Sequence, residues 1–324
     1  MQAAESVNDR TNDHGIVSML RAGFETESQR RATLPAALLL VAAWVGFLAW
    51  IGPYVGSPVA AAILRVAPRE AWLLTVAGVL AVAGLLSWRT RQRGLAILSA
   101  MLLAYHLGTG LSVGGYALLA MWVDTSADAW ALRFMVRRAV YGLAVCLPMA
   151  LVWLFLLRGV GAPLRFGNWR VLTKASQREA PVTWLRMLGA ITLFGGATVF
   201  LMMQAAVSFE PIRSGQLIGW LPAILAVSLV NASAEEWIFR GFALPAAITA
   251  AGVARGVWLI GLWFGLHHWG LSVQILASLP GALLLGIGSV FFGKSVGETG
   301  GIGWAIAMHA VFDVAIFSAF YGRL

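Results

Sequence analysis

A chain of 324 residues that is 60% hydrophobic and 11% charged carries less than half of the roughly one-quarter charged share of ordinary soluble domains, so a soluble globular protein is excluded. The net charge of +9 comes largely from arginines in short stretches between apolar runs. That is the positive-inside pattern of membrane proteins and not a nucleic-acid-binding face. With Cys146 as its one cysteine, the sequence rules out disulfides and cysteine-clustered metal sites.

Residues 1–33 are polar and mixed in charge, without the apolar core of a signal peptide, and read as a soluble tail. Apolar runs long enough to cross a bilayer follow at 34–52, 70–88, 94–123, 137–157, 186–208, 216–234, 254–271, 274–292 and 300–320. Between the first two, 53–68 holds three prolines and Arg65 and reads as a loop or partial insertion. The run 94–123 is long for one straight span and fits either a tilted helix or a hairpin. The fold class is therefore all-α, a polytopic transmembrane helical bundle of about eight or nine spans. Variable helices occupy 34–185, with a basic loop at 158–185, and a core follows over 186–324. Basic stretches at "RTRQR" (89–93) and over 158–186 flank the more acidic 124–136, which places the N-terminus on the cytoplasmic side of what we expect to be a bacterial cytoplasmic membrane.

Two patterns of soluble enzymes match literally and are set aside. Gly288–Ser295, "GSVFFGKS", fits the phosphate loop, but that loop works only between a strand and a helix. Here Lys294 reads as a lysine snorkelling from the end of a span. Gly110–Gly114, "GLSVG", fits the nucleophile elbow but has no strand before it. The zinc-protease signature H-E-x-x-H is missing from the sequence.

Three polar pairs remain in the last third of the chain: Glu236 with Arg240 in "EEWIFR", Phe264 with His268 in "FGLHH", and His309 with Asp313 in "HAVFD". Each has i, i+4 spacing and shares a helix face. An ionised side chain inside a span costs at least about 2.5 to 3.5 kcal/mol, so these charges need a purpose. Arg240 can neutralise Glu236. That leaves Glu235, about 140° round the helix from Arg240, as a carboxylate without a local partner. Glutamate and histidine together supply what hydrolysis needs: a base for water and groups to hold an oxyanion or a metal.

E-E-x-x-x-R, F-x-x-x-H and H-x-x-x-D, in this order on successive apolar helices, resemble the CPBP family of intramembrane proteases. This family includes the type II CAAX prenyl endopeptidases and the bacteriocin-processing and immunity proteins also called Abi. The resemblance covers about residues 215–320. It implies that Glu235 activates water with His268 as partner, that Glu236, Arg240 and Phe264 support the site, and that His309 stabilises the oxyanion. Asp313 stands where the prenyl endopeptidases typically carry asparagine, and is expected to orient His309, ligate a metal or act protonated. The cofactor stays open between a divalent metal such as zinc, held by Glu235, His268, His309 and Asp313, and none. His267 reads as a bystander beside Trp263.

The expected activity is hydrolysis of a peptide bond in or near the bilayer. The expected partners are a peptide or membrane-protein substrate and the lipid bilayer, with neither nucleic acid nor nucleotide. A non-catalytic immunity or scaffold protein and a proton-coupled transporter are the rival readings. One tension stands: with 216–234 and 254–271 as separate spans, Glu235 and His268 fall towards opposite faces of the membrane.

Overall fold

The computed structural model describes residues 26–55, 57–119, 130–157, 166–168, 170–173, 182–207, 215–269 and 278–320. Among these the chain is almost wholly helical. Helix α1 is Glu27–Val55, α2 Pro58–Val66, α3 Arg69–Arg89 and α4 Arg93–Leu119. Helix α5, Trp130–Val152, runs on into a π-helical turn at Trp153–Leu157. A two-residue hairpin pairs β1, Leu172–Thr173, with β2, Val182–Thr183. Helices α6, Trp184–Ala190, and α7, Ala197–Val207, are joined by π turns at Ile191–Gly196. Helix α8, Gln216–Glu236, passes through π turns at Trp237–Ala243 into α9, Leu244–Ala251. Helices α10, Val253–His268, α11, Leu279–Thr299, and α12, Gly303–Phe320, complete the bundle.

Among the described residues, seven stretches are long and apolar enough to cross a membrane: 27–51, 69–89, 93–119, 130–157, 184–204, 216–251 and 279–299. Leu38 on α1, Leu74 and Leu85 on α3, Leu193 in the π turns before α7 and Leu284 on α11 are exposed. Glu236 and Arg240 are fully buried. A bundle that turns leucine outward and charge inward is built for lipid.

Several sequence boundaries change. The polar tail is shorter than read, because α1 begins at Glu27 and its first turn pairs Glu27 with Arg31 at 3.1 Å; residues 1–25 lie outside the described residues. The stretch 53–68 contains a short helix, started by Ser57, whose side chain accepts from the Ala60 N–H, with Pro58 at its first turn. The run from Arg93 is one continuous helix, not a hairpin, and Ser112 of "GLSVG" spends its hydroxyl on the Thr109 carbonyl inside it. "GSVFFGKS" lies wholly within α11. Lys294 reaches Glu298 at 2.6 Å and the Thr173 hydroxyl of the hairpin at 2.6 Å.

The most consequential change is at 216–251. The chain does not end a span near residue 234 but continues to Ala251, so Glu235 sits mid-run. The π turns have a local cause: Pro245 carries no N–H for the Gly241 carbonyl, and its ring crowds that carbonyl, so a regular ladder cannot pass. Gly252, at φ 83°, then reverses the chain into α10. From that hinge α9 and α10 run back antiparallel in close contact. A Cβ on Gly256 would stand 2.8 Å from the Ile248 nitrogen, and Phe239 packs on Phe264 with ring centroids 5.1 Å apart. Each pair is nearly equidistant in sequence from Gly252, and so are Glu235 and His268. At 1.5 Å per residue both lie about 25 Å from the hinge, at one depth. The tension between opposite faces is thereby resolved.

Candidate active site

The Glu236–Arg240 pairing expected from spacing is present. Arg240 Nη1 donates to Glu236 Oε1 at 2.9 Å, with both side chains fully buried. Its Nη2 donates to the Ser289 carbonyl at 3.2 Å and to the Ser289 hydroxyl on α11. The guanidinium carbon stands 4.7 Å from the Phe264 ring centre and 5.2 Å from that of Phe292. Desolvating such a pair costs several kcal/mol per ion, offset here by charge pairing, hydrogen bonds and two aromatic faces.

Glu236 Oε1 also fixes the histidine of α12. His309 Nδ1 donates to it at 2.8 Å, and Phe292 stacks on the ring at 5.6 Å. With Nδ1 so engaged, Nε2 faces the opposite way, 3.7 Å from Glu235 Oε2 and 3.7 Å from Asp313 Oδ1. These separations are too long for direct hydrogen bonds, and Glu235 Oε2 is buried without a hydrogen-bond partner. Glu235 Oε2 and Asp313 Oδ1 thus both face His309 Nε2 across a short gap without bonding to it, and an oxygen bound at the edge of that gap would reach Glu235 and His309 together. Of the three roles open to Asp313, holding the His309 ring through Nδ1 falls to Glu236, while Asp313 Oδ2 accepts from Asn231 Nδ2 at 2.8 Å.

Glu235 has no cation partner on its own helix, as the spacing implies, but it has a distant one. Its Oε1 lies 3.3 Å from Arg138 Nη2 on α5, a helix well before the segment that carries the three motifs. Arg138, Asn231, Ser289 and Phe292 all escaped sequence reasoning. Asn231 alone had a local signal, lying one turn before Glu235 on the same face. Arg138 reaches the site from α5 and both Ser289 and Phe292 from α11, and no spacing in the chain announces them.

His268, at the end of α10, donates from Nδ1 to the Phe264 carbonyl at 3.0 Å, which leaves Nε2 as the acceptor of the neutral ring. It forms no hydrogen bond with Glu235, but lies within electrostatic range of Glu235, His309 and Arg138. Phe264 holds the centre, touching His268 and His309 at centroid distances of 4.7 and 5.5 Å. His267 spends Nδ1 on the Trp263 carbonyl at 2.7 Å and Nε2 on the Tyr105 hydroxyl at 2.8 Å, as a packed structural histidine. The structure therefore brings together Glu235, Glu236, Arg240, Phe264, His268, His309 and Asp313. Among the described residues, no group of three or more His, Cys, Asp or Glu side chains is arranged to hold a metal ion. Asp313 Oδ2 is engaged by Asn231 and Glu235 Oε1 by Arg138, while the other oxygen of each carboxylate faces His309 Nε2.

Comparison with protein families adds an independent finding for one segment, which runs from the second residue of α8 to the last third of α12. Residues 217–315 match the family of Rce1-like type II CAAX prenyl endopeptidases. The resemblance read from the three motifs is borne out. The matched segment contains all seven candidate residues together with Asn231, Ser289 and Phe292, whereas Arg138 lies outside it. No curated protein and no solved structure matches the chain.

Proposed function

We propose that this chain is an intramembrane endopeptidase that hydrolyses a peptide bond with water activated at Glu235. The observation that carries the reading is the unbonded Glu235 Oε2 facing His309 Nε2 across 3.7 Å, in a site whose other charges are paired. The family match over the same residues supports peptide hydrolysis as the chemistry.

In this reading, water binds at the edge of the Glu235 Oε2–His309 Nε2 gap and gives a proton to the carboxylate. Its oxygen bonds to the scissile carbonyl carbon, and the C=O electron pair moves onto oxygen. A protonated His309 donates from Nε2 to that oxyanion, its ring held by Glu236 and its charge balanced by the surrounding carboxylates. The C–N bond then breaks, the proton taken by Glu235 passes to the leaving nitrogen, and His268 Nε2 relays protons within range. No step passes through a metal. The basic stretches of sequence at 89–93 and 158–186 would face the cytoplasm, with the N-terminus on the same side.

Comparing peptide termini across membranes from cells with the wild type and with Glu235→Ala tests the reading. Termini that vanish in the variant are expected. Identical profiles, or ion flux in proteoliposomes abolished by Glu235→Gln without any cleavage, would overturn it.

A further inference from the structure

Arg138 has a half-spent guanidinium at an expensive place. It stands at the depth of Glu235, its side chain 30% exposed against 8% for Glu235. The 3.3 Å ion pair to Glu235 Oε1 is its one polar contact among the described residues. Of five N–H donors, only those of Nη2 have an acceptor at hand, while the cation otherwise rests near aromatic rings. Phe134 lies 5.4 Å away and Tyr141 5.9 Å, one turn either side on α5.

These rings tie Arg138 to the rest of the site. Phe134 packs edge-on against Phe317 of α12 at 5.2 Å. The Tyr141 hydroxyl meets that of Tyr105 at 3.2 Å, which in turn meets His267 beside His268. The open donors therefore sit on a braced platform between α5, α8 and α12, beside the gap where the reacting carbonyl would lie.

Resting on the endopeptidase reading, we infer that Arg138 is a substrate-binding residue that donates to a backbone carbonyl oxygen of the peptide flanking the scissile bond. An extended peptide at bilayer depth brings carbonyls that lack acceptor-seeking water, and unspent N–H groups match them. A neutral carbonyl fits better than a carboxylate. Glu235, Glu236 and Asp313 already match Arg138, Arg240 and the protonated His309, so a further anion would be left without a counter-charge. The pairing to Glu235 explains a second duty: with Oε1 held by Arg138, Oε2 is the oxygen turned to His309.

The test uses full-length protein in proteoliposomes and a cleaved peptide identified by the terminus comparison above. Arg138→Lys keeps the charge beside Glu235 and loses the planar fork. It is expected to raise KM about tenfold, with kcat changed less than about twofold. Binding of the same peptide to Glu235→Gln, which retains Arg138, is expected to weaken by about the same factor when Arg138→Met is added. Amide-capped and free-acid forms of the peptide should depend on Arg138 equally. Unchanged KM in Arg138→Lys, unchanged binding in the double variant, or a dependence confined to the free acid would overturn the inference. If wild type and Glu235→Gln cleave alike, the endopeptidase reading itself fails, and peptide binding still reports separately on Arg138.

Discussion

Glu236 accepts from both Arg240 and His309 through a single oxygen, so the site's charges are coupled rather than independent. Removing one partner of a buried ion pair typically costs about 3–5 kcal/mol, because the other is left uncompensated. Arg240→Met should therefore lower thermal stability in detergent steeply. Adding Glu236→Gln in the same chain should recover part of the loss by removing the stranded carboxylate. If the two losses simply add, the coupling described is wrong. At this scale the i, i+4 rule made Glu236–Arg240 legible in the sequence, since both residues belong to one stretch of backbone. It also placed Asp313 beside His309, but could not show that one oxygen of that carboxylate is engaged by Asn231. Arg138 could not be read at all: its partner is nearly a hundred residues away, and a basic residue at the start of an apolar run looks like an interfacial anchor.

Among the elements, the antiparallel pair α10–α11 sets where His268 and Ser289 stand, and glycines permit its closeness. A Cβ on Gly265 would strike the Ala282 carbonyl oxygen and lie 2.8 Å from the Gly286 nitrogen, both backbone atoms that cannot swing away. A Cβ on Gly288, on α11, meets nothing within 4 Å. Gly265→Ala should thus destabilise by about 1–3 kcal/mol and depress activity through displaced His268. Gly288→Ala should be neutral or slightly stabilising, gaining helix propensity. Thermal unfolding of the two variants compares them directly, and equal behaviour would contradict the packing argument. Helix existence was legible throughout from apolar run length. Continuity was not, because the charges of "AEEWIFR" look like a helix end, and only their burial lets the run continue to Ala251.

For the molecule as a whole, the basic turn at 89–93 and the start of α1 gather with the Gly252 hinge. Arg31, Arg91 and Arg93 line one cavity of about 450 Å³ together with Thr249 and Ala250. The Lys294–Thr173 and Trp184–Glu298 contacts join the hairpin to the end of α11, which packs beside the start of α10 through Gly293 and Val257. All of these belong to the side that charge bias assigns to the cytoplasm. In a Cys146→Ser background, Thr90→Cys should react with an impermeant maleimide only from the cytoplasmic side; labelling from outside would invert the topology. Bundle class and charge asymmetry come from composition, which averages over many residues. The meeting of α5 with α8 depends on tertiary packing that no local pattern encodes.

The central claim is that the Glu235 carboxylate, faced by His309, activates water against a peptide bond. Purified wild type, Glu235→Gln and His309→Gln, each reconstituted in liposomes with one identified peptide, measure this most directly. The account predicts cleavage by the wild type and a loss of at least about a hundredfold in kcat for both variants, with folding shown intact by unchanged thermal unfolding of Glu235→Gln. Full turnover by Glu235→Gln would contradict it.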